Sequence, residues 1–301
     1  MQLRKGIEKT RDLNSFVRET LHPATSLRLD GRELLQYRDI QLDITRSIKL
    51  LQVNAVIQWG NIRIHCTVSG SIVIPYPDRS NEGVLTFQGI DNYHHRILEK
   101  VFKSSDVVDT ESLCIIAGEK VWSILCSLRV LDSSGGNILD AMILVALAGF
   151  QAFRKPDMDI VREDSSHRIH IYDEIEREAL PLALHYIPMA VTIGIMKVKD
   201  STEFALVIDP SQEELDAVDT RIVIFVNSHQ ELCFVQKPGG IPIPMEIIVR
   251  ASNLAIQVSP QIHQILKEAL MKLENDTVIE RDKRLEIWQS IRAEELTHME
   301  T

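Results

Sequence analysis

The sequence is poor in aromatic residues, which make up 5% of its 301 positions. That scarcity argues against a sheet that recognises nucleic acid mainly by stacking bases on rings. Positive charge is also in deficit, with 33 Lys and Arg against 43 Asp and Glu and a formal net charge of −10. Broad affinity for a phosphate backbone comes from neutralising phosphates, so any nucleic-acid contact must be local. The four cysteines, Cys66, Cys114, Cys126 and Cys233, include no C-x-x-C pair, and each has apolar neighbours. They are expected to be reduced and buried, not a disulfide framework or a zinc site. His94-His95 and His167-x-x-His170 have no H-E-x-x-H or Cys/His company, so neither a metal nor a cofactor is expected. No Ser/His/Asp or Cys/His signature and no Walker loop stands out. The chain has no run of roughly 20 apolar residues, the length that spans a bilayer, and the charged opening MQLRKGIEKTRD lacks the apolar stretch of a secretory signal. The expectation is a protein inside the cell with no membrane partner.

The length of 301 residues fits two compact α/β units or one fused pair. Over residues 4–22, Leu13, Phe16, Val17, Thr20 and Leu21 recur at helical spacing, and Pro23 stops the run. An amphipathic N-terminal helix is predicted. Residues 49–58 and 62–74 are rich in β-branched residues and flank Trp59-Gly60-Asn61, which predicts a hairpin. A short strand near Gly83–Gln88 and a helix from about Asn92 to Lys103 follow. A strand over about Val121–Leu131 runs into Asp132-Ser133-Ser134-Gly135-Gly136, after which Asn137 is placed as the cap of an apolar helix reaching about Phe153. The second half repeats this order, with strands near Ile187–Val198, Ala205–Asp209, Arg221–Asn227 and Leu232–Gln236, then helices over about 244–257 and 260–274. Strands first and helices last in both halves predict an α+β fold of two similar units. The segmentation is 1–26 for the N-terminal helix, 27–157 and 158–274 for the two units, and 275–301 for a charged helix or tail keeping Leu285, Trp288 and Ile291 at helical spacing.

Three clusters have chemical potential. Two glycines opening a helix can present backbone N–H groups to an anion. A working phosphate site also needs a hydroxyl and a guanidinium, whereas the residues here are Asn137, Ile138, Leu139 and Asp140. A capped helix packed on a sheet is the simpler reading, with Asp140 repelling phosphate. The acidic stretch Ile208-Asp209-Pro210-Ser211-Gln212-Glu213-Glu214 could bind Mg²⁺ or supply a general acid, but a solvated loop explains it with fewer assumptions. Arg96, Lys100 and Lys103 fall at i, i+4 and i+7, with Ile97, Leu98 and Val101 facing inward. That stripe is either solvated or a phosphate contact.

The sequence resembles the RNase PH superfamily, and within it the ring subunits of the RNA exosome. The resemblance is carried by Leu29-Asp30-Gly31-Arg32 with Tyr37-Arg38-Asp39-Ile40, by Asp78-Arg79 with Glu82-Gly83, and above all by Asp109-Thr110-Glu111-Ser112-Leu113-Cys114-Ile115-Ile116-Ala117-Gly118-Glu119-Lys120-Val121-Trp122. Asn137-Ile138-Leu139-Asp140-Ala141, Arg154-Lys155-Pro156-Asp157, Pro181-Leu182 with His185-Tyr186-Ile187-Pro188, Asp209-Pro210 with Glu213-Glu214, and Gly239-Gly240 extend it over about residues 27–270. It implies a tandem RNase PH-like fold, with an N-terminal unit like domain 2 of ribosomal protein S5 and a C-terminal RNase PH unit. It further implies a ring of six such subunits, one an obligate heterodimer partner, with S1/KH cap proteins above, a hydrolytic exoribonuclease docked on the ring, and single-stranded RNA threaded through. RNA processing from 3′ to 5′ would follow, in rRNA maturation, RNA surveillance and mRNA turnover in the nucleus, nucleolus and cytoplasm.

Members of the family that degrade RNA with phosphate carry Ser-Arg or Thr-Arg at the glycine turn. This sequence has Asn137-Ile138 or Ile138-Leu139 there, so the resemblance implies a non-catalytic subunit whose degenerate phosphate site is Asn137, Ile138, Leu139 and Asp209. The alternative is a phosphorolytic exoribonuclease whose active site a sister subunit completes. The resemblance also implies RNA contacts at Lys100 and Lys103, and at Arg96 and Arg79. Between Phe87 and Asn92 the chain is shorter than the family's loop at that place.

Overall fold

The structure is a computed structural model. It describes residues 13–21, 27–47, 50–163, 166–172, 176–198 and 203–299, with backbone alone at 162–163, 166–167 and 280–299. The first sheet contains β1 (Ile40–Ser47), β2 (Gln52–Trp59), β3 (Ile62–Val73), β4 (Val84–Gln88), β5 (Cys114–Ile116) and β6 (Lys120–Asp132). Its order is β1-β2-β3-β6-β4, with β5 on the far end of β6. Every pairing is antiparallel except β4 on β6. Strand β2 buries Val53, Ala55, Ile57 and Trp59, the period-2 pattern of a sheet with one face on a core. Its hairpin to β3 turns at Gly60-Asn61, with Gly60 at φ +57°.

The second half opens with β7 (Arg154–Lys155), the hairpin of β8 (Met158–Glu163) and β9 (Ser166–Ile171), and β10 (Leu180–Pro181), which pairs β7. Its main sheet holds β11 (Met189–Lys197), β12 (Phe204–Ile208), β13 (Thr220–Val226) and β14 (Leu232–Gln236) in the order β12-β11-β13-β14. The helices are α1 over residues 13–20, α2 (Asn92–Leu98), α3 (Ile138–Ala152), α4 (Gln212–Ala217) and α5 (Met245–Met299).

Helix α3 is buried at every position except Ile138 and Gln151, because it lies between the first sheet and β11. One hydrophobic core therefore runs from Leu42 to Leu273 through both halves. Val17 and Leu21 at the N-terminal helix pack on Met196, Ala205, Val207 and Ala217, whereas Leu13 and Phe16 of the expected stripe stay exposed. The rest of the predicted helix over 4–22 lies outside the described residues.

Several expectations need correction. The two helices expected at 244–257 and 260–274 are one continuous helix, which carries on through the expected tail. Pro260 cannot donate to the Ile256 carbonyl, but the Ser259 hydroxyl reaches that carbonyl at 3.3 Å. Ala251, Ala255, Val258, Ile262, Leu266 and Leu273 form the buried stripe that holds the helix down. Leu285, Trp288 and Ile291 fall where backbone alone is described. Of the cysteines, Cys66 and Cys126 are buried with their Sγ atoms 3.6 Å apart, but Cys114 and Cys233 are only half-buried.

The acidic stretch after β12 is not a solvated loop throughout. Asp209 and Glu214 are buried, because guanidinium groups from the far end of the chain reach them. Arg28 donates through Nε to Glu214 Oε1 at 2.8 Å and through Nη2 to Glu214 Oε2, with the two side chains 0% and 2% exposed. Its remaining N–H groups go to the carbonyls of Gln36, Ile208 and Asp209. Removing one partner of a buried ion pair leaves the other charge uncompensated, at a cost of about 3–5 kcal/mol. Arg28→Ala is therefore expected to lower the stability of the chain by about that much, read as a fall in the urea midpoint at constant m-value. A loss below about 1 kcal/mol would contradict this placement.

Candidate nucleic-acid interface

The glycine turn joins β6 to α3. Asp132 Oδ1 accepts the Ser134 N–H at 2.9 Å and so shapes the turn, and Gly136 adopts φ +92°. A Cβ on Gly136 would stand 2.6 Å from the Gln212 nitrogen, so the turn is pressed against the start of α4. Asn137 does not cap α3 with its side chain, contrary to expectation: its Nδ2 donates to Asp140 Oδ2 at 2.7 Å. Asp140 is buried and accepts further bonds from the Thr192 N–H and hydroxyl, both at 2.8 Å. It thus points into the joint with β11, and its expected role of repelling an anion from the cleft does not hold. Burial pushes its pKa up to about 6, against the bonds from Asn137 and Thr192.

A cleft of about 170 Å³ lies beside the turn, lined by Gly136, Asn137, Ile138, Leu139 and Thr192, with Tyr93, His94, Arg221 and Val223 across from them. Ile138 and Leu139 thus put aliphatic surface on the cleft at the positions where a hydroxyl and guanidinium would serve an oxyanion.

Asp209 lies outside this lining and is fully buried. Its carboxylate takes a two-pronged grip from Arg38, Nε at 2.9 Å and Nη2 at 2.6 Å, together with the Arg38 N–H at 3.1 Å. Arg32 Nη1 at 3.2 Å and Trp59 Nε1 at 3.0 Å complete the set. Burial alone would raise its pKa, but the hydrogen bonds and charge of Arg38, with help from Trp59, bring it below the ordinary carboxylate value. Such a group neither delivers a proton near neutrality nor has free oxygens for a metal. Among the described residues no cluster of three or more His, Cys, Asp or Glu is placed to hold one.

The structure puts Arg96, Lys100 and Lys103 on one continuous helical segment, all exposed, with Ile97, Leu98, Val101 and Phe102 buried beneath. The α-helical repeat ends at Leu98 and a π-helical turn runs over Glu99–Ser104. Its longer repeat carries Lys103 out of strict line with Arg96 and Lys100. Lys100 Nζ lies 4.4 Å over the Phe234 ring of β14. Arg79 is apart from this stripe, in a 3-10 turn after β3, where it faces Glu82 at 3.4 Å. The short connection before α2 closes at Gly89, φ +82°. Sequence reasoning missed Arg221 and Tyr93 as cleft residues, and no local motif marks either of them. Arg32 and Arg38 carried a signal, since both lie in the motifs that ground the family resemblance.

A family model described as 3′ exoribonuclease family, domain 2, matches residues 186–258. Exosome complex component RRP45A of Arabidopsis thaliana is 32% identical over 288 residues, covering 90% of this chain and 90% of the relative. Exosome complex component RRP45 of Rattus norvegicus is 30% identical over 272 residues, or 85% of this chain, and the match spans only 59% of that longer relative. Among solved structures, a chain of an archaeal exosome core superposes with a TM-score of 0.67 at 23% identity, covering 86% of this chain and 97% of that one. The β-rich halves joined by α3 are thus the fold found in exosome core structures.

The buried Asp140 sets a testable pH dependence. Its folded pKa of about 6 exceeds the ordinary value of 3.8. Between those values the folded state holds the proton more tightly than the unfolded state, so its contribution is fully present below 3.8 and is lost as pH rises through about 6. Asp209 acts in the opposite direction, its contribution being lost as pH falls below the unfolded carboxylate value. Relative to wild type, Asp140→Asn is expected to lose the decline in stability between about pH 4.5 and 7, measured by urea unfolding at both pH values. An equal decline in both proteins would refute the assignment.

Proposed function

The chain belongs to the RRP45 family of exosome complex components, and on that premise we propose that it serves as a non-catalytic ring subunit that helps guide RNA. The observation that carries the non-catalytic part is the first turn of α3. Ile138 and Leu139 line the cleft there, and no hydroxyl or guanidinium stands in their place. Asp209, the acid nearest in sequence to a catalytic role, has its carboxylate committed to Arg38, Arg32 and Trp59. Phosphorolysis needs an anchored phosphate beside the reacting bond, and a carboxylate locked in an ion cluster does not replace the anchor.

RNA guidance is supported by Lys100, Lys103 and Arg96, exposed together on an otherwise acidic chain. Arg79 is a lesser contact, since it already faces Glu82. The partners in this reading are other RNase PH-like ring subunits, S1/KH cap proteins and a hydrolytic exoribonuclease docked on the ring. The setting is 3′ to 5′ RNA processing and degradation in the nucleus, nucleolus and cytoplasm, and 27–157 and 158–274 are taken as its two units. No described helix is long and apolar enough to cross a membrane.

Two measurements test this. The purified chain is expected to show no shortening of single-stranded RNA on addition of inorganic phosphate, and robust phosphate-dependent shortening would overturn the non-catalytic reading. In the assembled ring, Lys100→Glu with Lys103→Glu is expected to weaken RNA protection about tenfold or more while leaving assembly intact, because two phosphate contacts are replaced by repulsion. Unchanged protection would mean that the stripe is merely solvated.

A further inference from the structure

Arg221 opens β13 and lines the cleft beside the glycine turn, where it is half-buried. Among the described residues its side chain has no hydrogen-bond or ion-pair partner, although a chain of net charge −10 has carboxylates to spare. The nearby acids are already committed. Asp216 and Asp219 share a second recess with Arg221, where Asp219 is bonded by Arg18 and by the Lys197 N–H and Asp216 by Gln212 Nε2 at 3.2 Å; Asp140 is bonded by Thr192 and Asn137, and Asp91 by His94. An unpaired guanidinium in a recess, with the surrounding carboxylates hydrogen-bonded to other groups, is arranged for an external anion. The recess is also continuous with the cationic helix. Tyr93 of α2 lines it with a ring 38% exposed and is held by Gln236 Nε2 at 3.5 Å, while two turns on Lys100 lies over Phe234 of the same strand, β14.

We propose that Arg221 is an RNA-contact residue that takes one backbone phosphate, with the Tyr93 ring as a stacking surface for the adjoining base. The cleft of about 170 Å³ is smaller than the ~300–1,000 Å³ of an enclosing small-molecule pocket, so it admits one phosphate group while the rest of the strand stays outside. This grip is not the missing phosphorolytic clamp: the guanidinium comes from β13, and the first turn of α3 still supplies Ile138 and Leu139. The inference rests on the RNA-guiding reading and names a contact separate from Lys100 and Lys103.

The test uses the purified full-length chain and a labelled single-stranded oligoadenylate, with affinity read by fluorescence anisotropy over a range of KCl concentrations. Arg221→Gln is expected to weaken binding about three- to tenfold and to flatten the log–log salt slope by about 0.7, the share of one phosphate on a single strand. Arg221→Lys keeps the charge and is expected to restore most of the slope. Tyr93→Ala is expected to weaken binding with the slope unchanged. Inorganic phosphate is titrated in parallel against thermal stability. A rise in Tm that Arg221→Gln abolishes assigns the cleft to a free anion as well, whereas lost RNA affinity without such a rise assigns it to the strand alone. Both results uphold a phosphate contact. If Arg221→Gln keeps its fold, RNA affinity, salt slope and phosphate response, the proposal is overturned. Where Lys100→Glu with Lys103→Glu still abolishes binding, only Arg221 is removed from the RNA path. Where neither variant matters, the RNA-guiding reading falls with it.

Discussion

The buried carboxylate of Asp209 is the point on which both halves of this molecule turn. Asp209 sits at φ +47°, a backbone region that non-glycine residues adopt only when their surroundings hold them there. What holds it is drawn from distant parts of the chain: Arg32 and Arg38 precede the first sheet, Trp59 ends β2, and the Asp209 N–H bonds the Thr192 carbonyl of β11. Arg38 also reaches the Gly135 carbonyl, so the same guanidinium fixes the turn that starts α3. Arg28 and Glu214 repeat the device one turn of chain away. Such clusters are weak contributors to net stability, because desolvating the charges offsets most of their attraction. Their value lies in geometry, since no other arrangement of the halves would leave these charges paired.

That geometry decides what chemistry remains beside the turn. Arg32 and Arg38 are bound to the protein's own Asp209 carboxylate, the first turn of α3 offers aliphatic side chains, and Arg221 is the guanidinium left on the cleft. Leu139 is 6% exposed, and full burial of a leucine side chain is worth about 1.5–3 kcal/mol. Aliphatic residues at this turn therefore favour a stable joint between sheets over a site that grips a charged substrate. In the reading proposed above, RNA contact on a chain with ten more acids than bases falls to cations without an ion pair among the described residues. The α2 segment and Arg221 meet that condition; Arg79, facing Glu82, does not.

Much of the fold was legible. The hairpin at Gly60-Asn61, the strand into the glycine turn and the apolar run of α3 are local patterns, and local patterns reflect local constraints. The misreadings share one cause, which is pairing at long range. Asp209 and Glu214 read as a solvated acidic loop because their partners lie between 150 and 186 residues away. Asp140 looked like a repulsive group in an open site because nothing near it announces Thr192, 52 residues on. Pro260 suggested a break because the hydroxyl that replaces its missing donor belongs to an ordinary-looking Ser259. Arg221 gave no signal at all, since a strand-opening arginine is commonplace until the recess around it is seen.

A deeper consequence follows from the position of Thr192. Its carbonyl accepts from Asp209 and its N–H and hydroxyl donate to Asp140, so one residue of β11 couples the two buried acids. One of these acids is held ionised by arginine, and the other is pushed toward its neutral form by burial. Below a pH of about 6 Asp140 holds its proton and the joint carries one carboxylate charge; above it, the bonds from Asn137 and Thr192 meet the second. Thr192 also lines the cleft, so both acids are bonded to a residue of the cleft wall. The cleft and the internal ion clusters are therefore not separable features of this chain, because Thr192 belongs to both.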